Sequence, residues 1–418
     1  MKNLILIPLV FLLFSCNGWE DKKVRKEEPS KIWRGVLVLS GDQLTKLPFI
    51  FEYDPLDSTS KKITITNAQE TIVLTDIKQV GDSLFIQMDP YDSELRLVLE
   101  KKEMKGVWVN YAKGKDYQLP FYARNGNKLR FFEHKFDEFD LNGKFEVWFG
   151  DSATGYPALA ELKQDGRKLT GTFRTETGDY RYLEGVQSGK EVFLSCFDGA
   201  HAFLFTSEVK IDSTLDNRLT LFNGKFYSGS HYQENWSAFL SDTFELTSPD
   251  SLTLIKDDTS KFSFELGTSS GDILSLKHSS FQNKVSLIQI LGTWCPNCKD
   301  ETEYLKEVYE KYGSDQLNIL AVAFEMDTDT EKSLKRISKY KSQMDVPYTM
   351  VLGGTASKER VIEVFPALNK LISYPTLIVL DKNQEVVKIH TGFNGPATSQ
   401  YQPFVEDMNV LIDSLVIN

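Results

Sequence analysis

The chain has 418 residues, of which 41% are apolar, and this length and composition predict two or three domains with ordinary globular cores. Its formal net charge of −11 argues against nucleic acid as a partner, because phosphate binding needs a basic face. We interpret the acidic balance as that of a solvated surface.

The first sixteen residues have the features of a targeting segment rather than of a folded element. Lys2 precedes about eleven apolar residues, a run too short to span a bilayer as a mature helix. The segment ends in "LFSC" (13–16), which resembles the lipobox of bacterial lipoproteins, where the cysteine receives lipid and becomes the first mature residue. The resemblance implies a signal peptide over residues 1–16, lipidation of Cys16, and a lipid-anchored protein in a bacterial cell envelope, facing the periplasm. A plain signal peptide with an incidental cysteine is the alternative.

A mixed-charge tether is predicted next, over residues 17–31, because this stretch has almost nothing to bury. No later segment is apolar enough for a transmembrane helix. Export exposes thiols to oxidants, and disulfides persist outside the cytosol. Once Cys16 is lipidated, Cys196, Cys295 and Cys298 remain, and these are too few for a disulfide scaffold.

Alternating apolar and polar residues, in runs separated by Asp, Gly, Asn and Pro clusters, predict antiparallel β-sheet before residue 243. A weak internal repeat aligns residues 81–100 with residues 189–208 without gaps. We therefore predict an all-β antiparallel region of two similar barrel-like or sandwich-like units, 31–130 and 139–243. Coincidence between two β-rich sequences is the alternative. Cys196 falls in an alternating strand of the second unit, which predicts an inert core residue.

A linker is predicted at 244–256, and the pattern changes after it. The run "VSLIQIL" (285–291) is a continuous apolar strand. Residues 300–313 carry an apolar face at helical spacing, and Gly313 can end that helix. Strands and helices then alternate to the C-terminus. This alternation predicts a largely parallel sheet covered on both faces, in an α/β domain over residues 257–418.

The stretch "GTWCPNC" (292–298) follows the apolar strand directly. Structural zinc needs four ligands, whereas the chain has one CxxC pair and scattered histidines, and a static disulfide over this spacing would constrain little chain. We favour redox chemistry. Pro296 suits the first helical turn, so Cys295 is predicted at the helix N-terminus, where the backbone N–H groups and the helix dipole favour the thiolate that attacks disulfides. Cys298, one turn further in, is predicted to resolve the mixed disulfide.

On these residues, the region from about 260 to 418 resembles the TlpA/ResA-type family of membrane-tethered thiol-disulfide oxidoreductases. The matching segments are "LGTWCPNCKDE" (291–301), the strand before it, and "SYPTLIVLDKNQEVVKIHTGF" (373–393). The resemblance implies a thioredoxin-like fold for this domain. It also implies that Pro375 is a cis-proline in a loop that lies opposite the CxxC pair and binds the backbone of a partner.

Three further site residues are predicted beside the two cysteines. Tyr374 belongs to the same implied partner-binding loop as Pro375. Trp294 is either a flat apolar flank for docking or a packed aromatic side chain. The resemblance implies that Glu301 handles protons for the thiols, with an exposed helix residue as the alternative.

The predicted function is that of a membrane-anchored thiol-disulfide oxidoreductase that reduces disulfides of exported proteins through Cys295 and Cys298. It requires an upstream electron donor, and no metal or other cofactor is predicted. Two alternatives stay open. One is a lipoprotein that binds a ligand or partner and has an accessory redox domain, and the other is a thiol peroxidase.

Overall fold

The computed structural model describes residues 30–41, 44–57, 61–132, 139–151, 153–256, 261–268 and 271–417. The predicted signal peptide, Cys16 and nearly all of the predicted tether lie outside the described residues. Within them, two antiparallel sheets come first and an α/β domain follows.

Nine strands form the first sheet. They are β1 (Ile32–Val38), β2 (Lys46–Tyr53), β3 (Ile63–Asn67), β4 (Glu70–Leu74), β5 (Ile77–Val80), β6 (Ser83–Gln87), β7 (Ser93–Glu100), β8 (Glu103–Asn110) and β9 (Gln118–Asn125). Consecutive strands pair, and β1 also pairs with β9, which leaves β4 and β5 as the edges. Successive side chains of a strand point to opposite faces, so every second side chain faces inward. Trp33, Trp108 and Phe121 fill the resulting core.

The second sheet closes into a barrel. Its strands are β10 (Gly143–Phe149), β11 (Tyr156–Asp165), β12 (Lys168–Thr175), β13 (Gly178–Asp179), β14 (Leu183–Ser188), β15 (Glu191–Phe197), β16 (Ala202–Asp212), β17 (Arg218–Ser228) and β18 (Tyr232–Leu240). Closure follows because β11 pairs with both β10 and β12 while β10 pairs with β18. The short strand β13 pairs only with β12 and forms a hairpin with it.

The two sheets correspond strand for strand, which confirms the prediction of two similar barrel-like units. The aligned segments 81–100 and 189–208 contain β6–β7 and β15–β16, which occupy equivalent places in the two sheets. Cys196 is fully buried in the core of the second barrel. Phe197 and Leu204 of the second barrel extend the core of the first, so the two units pack against each other.

The α/β domain contains a five-stranded sheet in the order β23-β22-β21-β24-β25. Its elements, after the short strands β19 (Leu266–Gly267) and β20 (Ile273–Leu274), are β21 (Val285–Leu291), α1 (Pro296–Gln316), β22 (Leu317–Glu325), α2 (Thr330–Gln343), β23 (Thr349–Thr355), α3 (Lys358–Val364), β24 (Thr376–Leu380), β25 (Val386–Thr391) and α4 (Tyr401–Ile417). The sequence predicted a largely parallel sheet, and this detail is wrong. Strands β21, β22 and β23 pair in parallel, but β24 pairs antiparallel with both β21 and β25, so two of the four pairings are antiparallel.

Both faces of this sheet are covered, as predicted. Helices α1, α2 and α4 pack on one face around Leu305 and Tyr340. Helix α3 and the aromatic residues Phe262 and Phe264 pack on the other. Helix α1 is interrupted at Gly313, whose φ of 68° is accessible to glycine without a Cβ clash.

The predicted linker packs closely against the α/β domain. Thr253 is fully buried and accepts a hydrogen bond from Thr391 of β25 at 2.9 Å, and Asp250 lies 2.7 Å from the imidazole of His390. Ile255 forms an isolated antiparallel β-bridge with Leu368. Among the described residues, no helix is both long enough and apolar enough to cross a membrane.

Candidate active site

The dithiol lies where strand β21 passes into helix α1. Pro296 is the first helical residue and Cys295 caps the helix N-terminus with extended backbone angles. The Cys295 sulfur accepts a hydrogen bond from the backbone N–H of Cys298 at 3.3 Å. Cys295 therefore lies at the positive end of the helix dipole, in the position predicted from the sequence.

The two sulfurs differ in access and in environment. Cys295 keeps 7% of its surface exposed, whereas Cys298 has none. Burial raises the pKa of the Cys298 thiol well above its ordinary value, and the neighbouring Cys295 sulfur and the charge of Glu301 raise it further. Cys298 is therefore a protonated, shielded thiol, and Cys295 is the one that an outside disulfide can reach.

The loop before strand β24 lies directly against Cys295. The Tyr374–Pro375 peptide bond is cis, as the resemblance implied, and the Cys295 sulfur lies 3.7 Å from the carbonyl oxygen of Tyr374. The ring of Trp294 meets the ring of Tyr374 edge to face, with 5.6 Å between their centroids. A hydrogen bond also holds the Trp294 ring in place, since its indole N–H donates to the carbonyl of Phe324 at 3.0 Å. The structure thus brings all the predicted partner-binding residues together at one thiol.

Glu301 is fully buried, so the alternative of an exposed helix residue is wrong. Its Oε2 accepts a hydrogen bond from the amide of Gln289 at 3.0 Å, and its Oε1 has no hydrogen-bond partner among the described residues. Burial raises the pKa of Glu301 to about 8, against a smaller opposing effect of the Gln289 amide. Glu301 therefore exchanges its proton near neutral pH, which suits a group that handles protons.

A polar network that sequence reasoning missed surrounds Glu301. Gln289 also donates to the Cys298 carbonyl at 3.3 Å and accepts from the Thr302 hydroxyl at 3.3 Å, and Tyr340 donates to that hydroxyl at 3.2 Å. The available sequence signal was the amide side chain of Gln289 in the largely apolar strand "VSLIQIL". A buried polar group needs partners, so Gln289 predicts a polar neighbour on α1.

A second buried carboxylate supports the loop before Cys295. Glu325, at the end of β22, accepts from the backbone N–H of Thr293 at 3.1 Å and from its hydroxyl at 2.8 Å. Burial raises the pKa of Glu325, and the hydrogen bonds from Thr293 oppose that effect. Gly292 is required beside it, because a Cβ there would lie 2.3 Å from the indole nitrogen of Trp294. Together these contacts fix the chain that presents Cys295.

The second barrel contacts the outer side of the same helical turn. Asn297, between the two cysteines, donates to the carbonyl of Asp179 at 3.2 Å. Asp300 forms a buried ion pair with Arg181, which also pairs with Glu70 of the first sheet at 2.7 Å. The sequence carried no signal for these contacts, because they join residues more than a hundred positions apart.

Among the described residues, no three side chains of the types His, Cys, Asp and Glu are grouped as metal ligands. Cys196, Cys295 and Cys298 are free thiols. The chemistry that the arrangement itself supplies is thiol exchange: an accessible sulfur at a helix N-terminus, a buried sulfur one turn away, and a carboxyl group that titrates near neutrality.

Residues 256–402 match the protein family described as Redoxin. The thioredoxin-like protein YneN of Bacillus subtilis (strain 168) is 28% identical over 129 residues, which are 31% of this chain and 68% of YneN. The thiol-disulfide oxidoreductase ResA of Geobacillus kaustophilus (strain HTA426) is 28% identical over 114 residues, which are 27% of this chain and 58% of ResA. The chain thus spans little more than half the length of ResA.

Solved structures of similar proteins cover about the same share of the chain. A thiol:disulfide interchange protein of the thioredoxin family from Chlorobium tepidum TLS covers 37% of this chain and 94% of its own, with 18% identity and a TM-score of 0.28. A thiol-disulfide oxidoreductase from Bacteroides fragilis NCTC 9343 covers 35% and 96%, with 21% identity and a TM-score of 0.26. On the sequence matches and the geometry of the dithiol, the region 256–402 of this chain is similar to thioredoxin-fold thiol-disulfide oxidoreductases of the TlpA/ResA type.

Proposed function

We propose that the whole chain is a membrane-anchored thiol-disulfide oxidoreductase that reduces disulfides of exported proteins. The observation that supports this most directly is the asymmetry of the dithiol. Cys295 is partly accessible at the helix N-terminus, whereas Cys298 is fully buried beside Glu301. A thiol that attacks and a thiol that resolves need this difference in access.

In the first step, the Cys295 thiolate attacks one sulfur of the substrate disulfide. A bond forms between Cys295 and that sulfur, the substrate S–S bond breaks, and the other substrate sulfur leaves as a thiolate that takes a proton from water. The helix N-terminus stabilises the attacking thiolate. The product is a mixed disulfide at the surface of the domain.

In the second step, Cys298 resolves this intermediate. Its thiol gives its proton to the Glu301 carboxylate, and its sulfur attacks the Cys295 sulfur. The mixed disulfide breaks, the second substrate sulfur leaves as a thiolate, and a Cys295–Cys298 disulfide remains. Two electrons have then passed to the substrate, and an upstream dithiol donor returns two electrons to close the cycle.

The aromatic loop residues are proposed to bind the substrate. Trp294 and Tyr374 are half-buried beside Cys295, and Pro375 fixes the course of the loop next to them. Their partly exposed rings offer an apolar surface to the residues that flank a disulfide. Substitution of Tyr374 is expected to raise the KM for a protein substrate more than it lowers kcat.

The anchor is proposed from the sequence "LFSC" at 13–16, where Cys16 would carry the lipid. The protein would then face the periplasm from the bacterial cell envelope. Cys16→Ser is expected to move the protein from the membrane fraction to the soluble fraction of fractionated cells. Unchanged partition into membranes would contradict the lipid anchor and leave the redox chemistry untouched.

The division of the chain is also part of the proposal. We place β units at 31–130 and 139–243, the linker at 244–256 and the redox domain at 257–418. In support, the two sheets extend over Ile32–Asn125 and Gly143–Leu240, and the Redoxin match begins at residue 256.

Reduction of insulin tests the proposed activity against its two alternatives. The full-length reduced protein is expected to release insulin thiols, and Cys295→Ala is expected to abolish that release. A thiol peroxidase would instead consume hydroperoxide faster than it reduces insulin. Unaltered insulin, unaltered oxidised glutathione and unaltered hydroperoxide together would favour a binding protein with an accessory redox domain.

A further inference from the structure

A turn of the second barrel covers the surface beside the dithiol. Strands β12 and β13 pair through Arg174–Asp179 and Thr175–Gly178, with Glu176 and Thr177 at the tip. We call residues 174–179 the β12–β13 hairpin. It reaches out of the barrel and ends against the loops that surround Cys295.

Three loops of the redox domain contact this hairpin. The Asn297 amide donates to the carbonyl of Asp179 at 3.2 Å, which ties the hairpin to the turn between the cysteines. The Ser373 hydroxyl donates to the carbonyl of Thr177 at 2.6 Å, next to the Tyr374–Pro375 loop. The backbone N–H of Gly395 donates to the Asp179 carboxylate at 2.6 Å, in the loop after β25.

The hairpin packs closely against these loops at two glycines. A Cβ at Gly178 would lie 2.2 Å from the Asn297 amide nitrogen, and Gly178 has a φ of 129°. A Cβ at Gly392 would lie 3.1 Å from the backbone of Thr177. Pro296 and Asn297, which lie between the two cysteines, are both buried, and the Asn297 amide contacts the hairpin directly. The hairpin therefore covers the Asn297 side of the dithiol, whereas the half-buried rings of Trp294 and Tyr374 lie beside Cys295.

A buried ion cluster fixes the hairpin at its base. Arg181, two residues after Asp179, pairs with Asp300 of α1 and, at 2.7 Å, with Glu70 of the first sheet. Its guanidinium also lies 3.6 Å from Asp198. The hairpin is thus attached to both β units and to the active-site helix, which makes it a fixed wall of the site.

We propose that the β12–β13 hairpin determines which disulfides this enzyme accepts, by excluding those with folded structure on both sides. A sulfur attacked by Cys295 must approach along the Trp294 side, so bulk on the Asn297 side of the disulfide meets the hairpin. Disulfides in small or extended molecules fit this restriction, and those in compact folded proteins do not. The inference rests on the proposed function and names the substrate class within it.

The experiment compares two disulfides in the full-length, pre-reduced protein. Oxidised glutathione is the small probe and insulin is the bulky one, and the readout is the second-order rate constant for oxidation of the dithiol. Gly178→Val is the test variant, because a side chain there would collide with the Asn297 amide and the Phe393 carbonyl and so disrupt the close fit of the hairpin. Gly166→Val is the matched control, since Gly166 also has a positive φ, lies in the same barrel and has open space around a Cβ.

Gly178→Val is expected to raise the ratio of the insulin constant to the glutathione constant by about tenfold or more, as when a steric exclusion is removed. Gly166→Val is expected to leave the ratio at the wild-type value. An unchanged ratio in Gly178→Val, or equal changes in both constants, would overturn the inference. If Gly178→Val does not fold, the double variant Glu176→Gly, Thr177→Gly loosens the tip and is judged by the same ratio.

The same measurement separates this inference from the proposed function. Wild-type protein that reacts with neither disulfide would contradict the proposed function itself. Wild-type protein that reacts with both, at a ratio that no hairpin variant changes, would contradict the hairpin inference alone.

Discussion

Two adjacent residues near the start of α1, Asp300 and Glu301, carry carboxyl groups with opposite surroundings. Asp300 and Glu301 retain 8% and 0% of their surface, so both are buried. Asp300 points to the second barrel and meets the guanidinium of Arg181. Glu301 points into the domain's own core and meets only an amide, from Gln289. Successive residues lie about 100° apart around a helix, so the side chains of Asp300 and Glu301 face different parts of the molecule.

The difference shows that the role of a buried carboxyl group depends on whether a cation balances its charge, and not on burial alone. Asp300 faces a buried cation, which makes it an anchor between domains. Glu301 has no ion pair among the described residues, and burial raises its pKa to about 8. The outer side of the turn is therefore suited to attachment, and the inner side to proton transfer.

Loss of either cysteine is expected to have the largest effect on turnover. Cys295→Ala removes the attacking sulfur and should abolish disulfide reduction. Cys298→Ala keeps the first step and blocks the second, so it should accumulate mixed disulfides with substrate proteins on non-reducing gels. Equal trapping by both variants would contradict the assignment of Cys295 as the nucleophile.

Arg181→Met tests the outer side of the turn. It removes the cation that faces the buried Asp300 and the half-buried Glu70, and breaking a buried ion pair commonly costs about 3–5 kcal/mol. The urea midpoint of the full-length protein is expected to fall accordingly. Arg124→Met, at an exposed position on β9, is the control and should leave the midpoint nearly unchanged. A midpoint that Arg181→Met does not lower would mean that the ion cluster contributes little to the attachment of the domains.

Glu301→Gln tests the inner side through the rate. Without the carboxylate, the Cys298 thiol loses its proton acceptor, and resolution of the mixed disulfide should slow by about a hundredfold. The pH dependence of that step near pH 8 should also disappear, since the group with this pKa is gone. Glu307→Gln, exposed on the same helix, is the matched control. An unchanged pH profile would remove Glu301 from the mechanism.

The same variant has a stability signature with a definite sign. The pKa of Glu301 is about 8 in the folded protein against an ordinary value of 4.5. Between these values the folded state keeps a proton that the unfolded chain has lost, so rising pH destabilises the wild type by about 1.4 kcal/mol per unit. Glu301→Gln has no such group and should gain stability relative to the wild type from about pH 5 to about pH 8. Parallel urea midpoints of the two proteins across this range would contradict the raised pKa.

Cys196→Ala is expected to have the smallest effect. Cys196 is fully buried in the second barrel, and burial raises the pKa of its thiol well above the ordinary value, so it should not exchange with substrates. Loss of its sulfur should cost about 1 kcal/mol of stability and leave both exchange rates unchanged. A change in the mixed disulfides that Cys298→Ala traps would show that Cys196 takes part in exchange.

Local patterns in the sequence were sufficient to predict the parts of the fold that they directly govern. Alternation and the internal repeat predicted two β units, and the apolar strand followed by Pro296 predicted Cys295 at a helix N-terminus. The resemblance to a known family, rather than any periodicity, brought Pro375 to the dithiol. These features depend on short-range geometry or on a motif that is preserved as a unit.

The contacts that distinguish this protein could not be predicted in the same way. Asn297 and Asp300 have the pattern of ordinary polar residues of an exposed helical turn, but both are buried and both contact the second barrel. Docking depends on the shapes of two folded surfaces, and the hydrophobic periodicity of the sequence does not predict those shapes. Glu301 was ambiguous for a related reason, since its burial depends on Gln289 in a different element.

The hydrogen bond between Asn297 and Asp179 joins residues that are 118 positions apart. Domains generally fold as units, so this contact joins a barrel and a redox domain that each have their own core. Closing a connection of this length costs loop entropy and comes late in folding. The outer wall of the active site therefore exists only when the second barrel is docked against α1, and the site depends on the interface between domains as well as on the fold of its own domain.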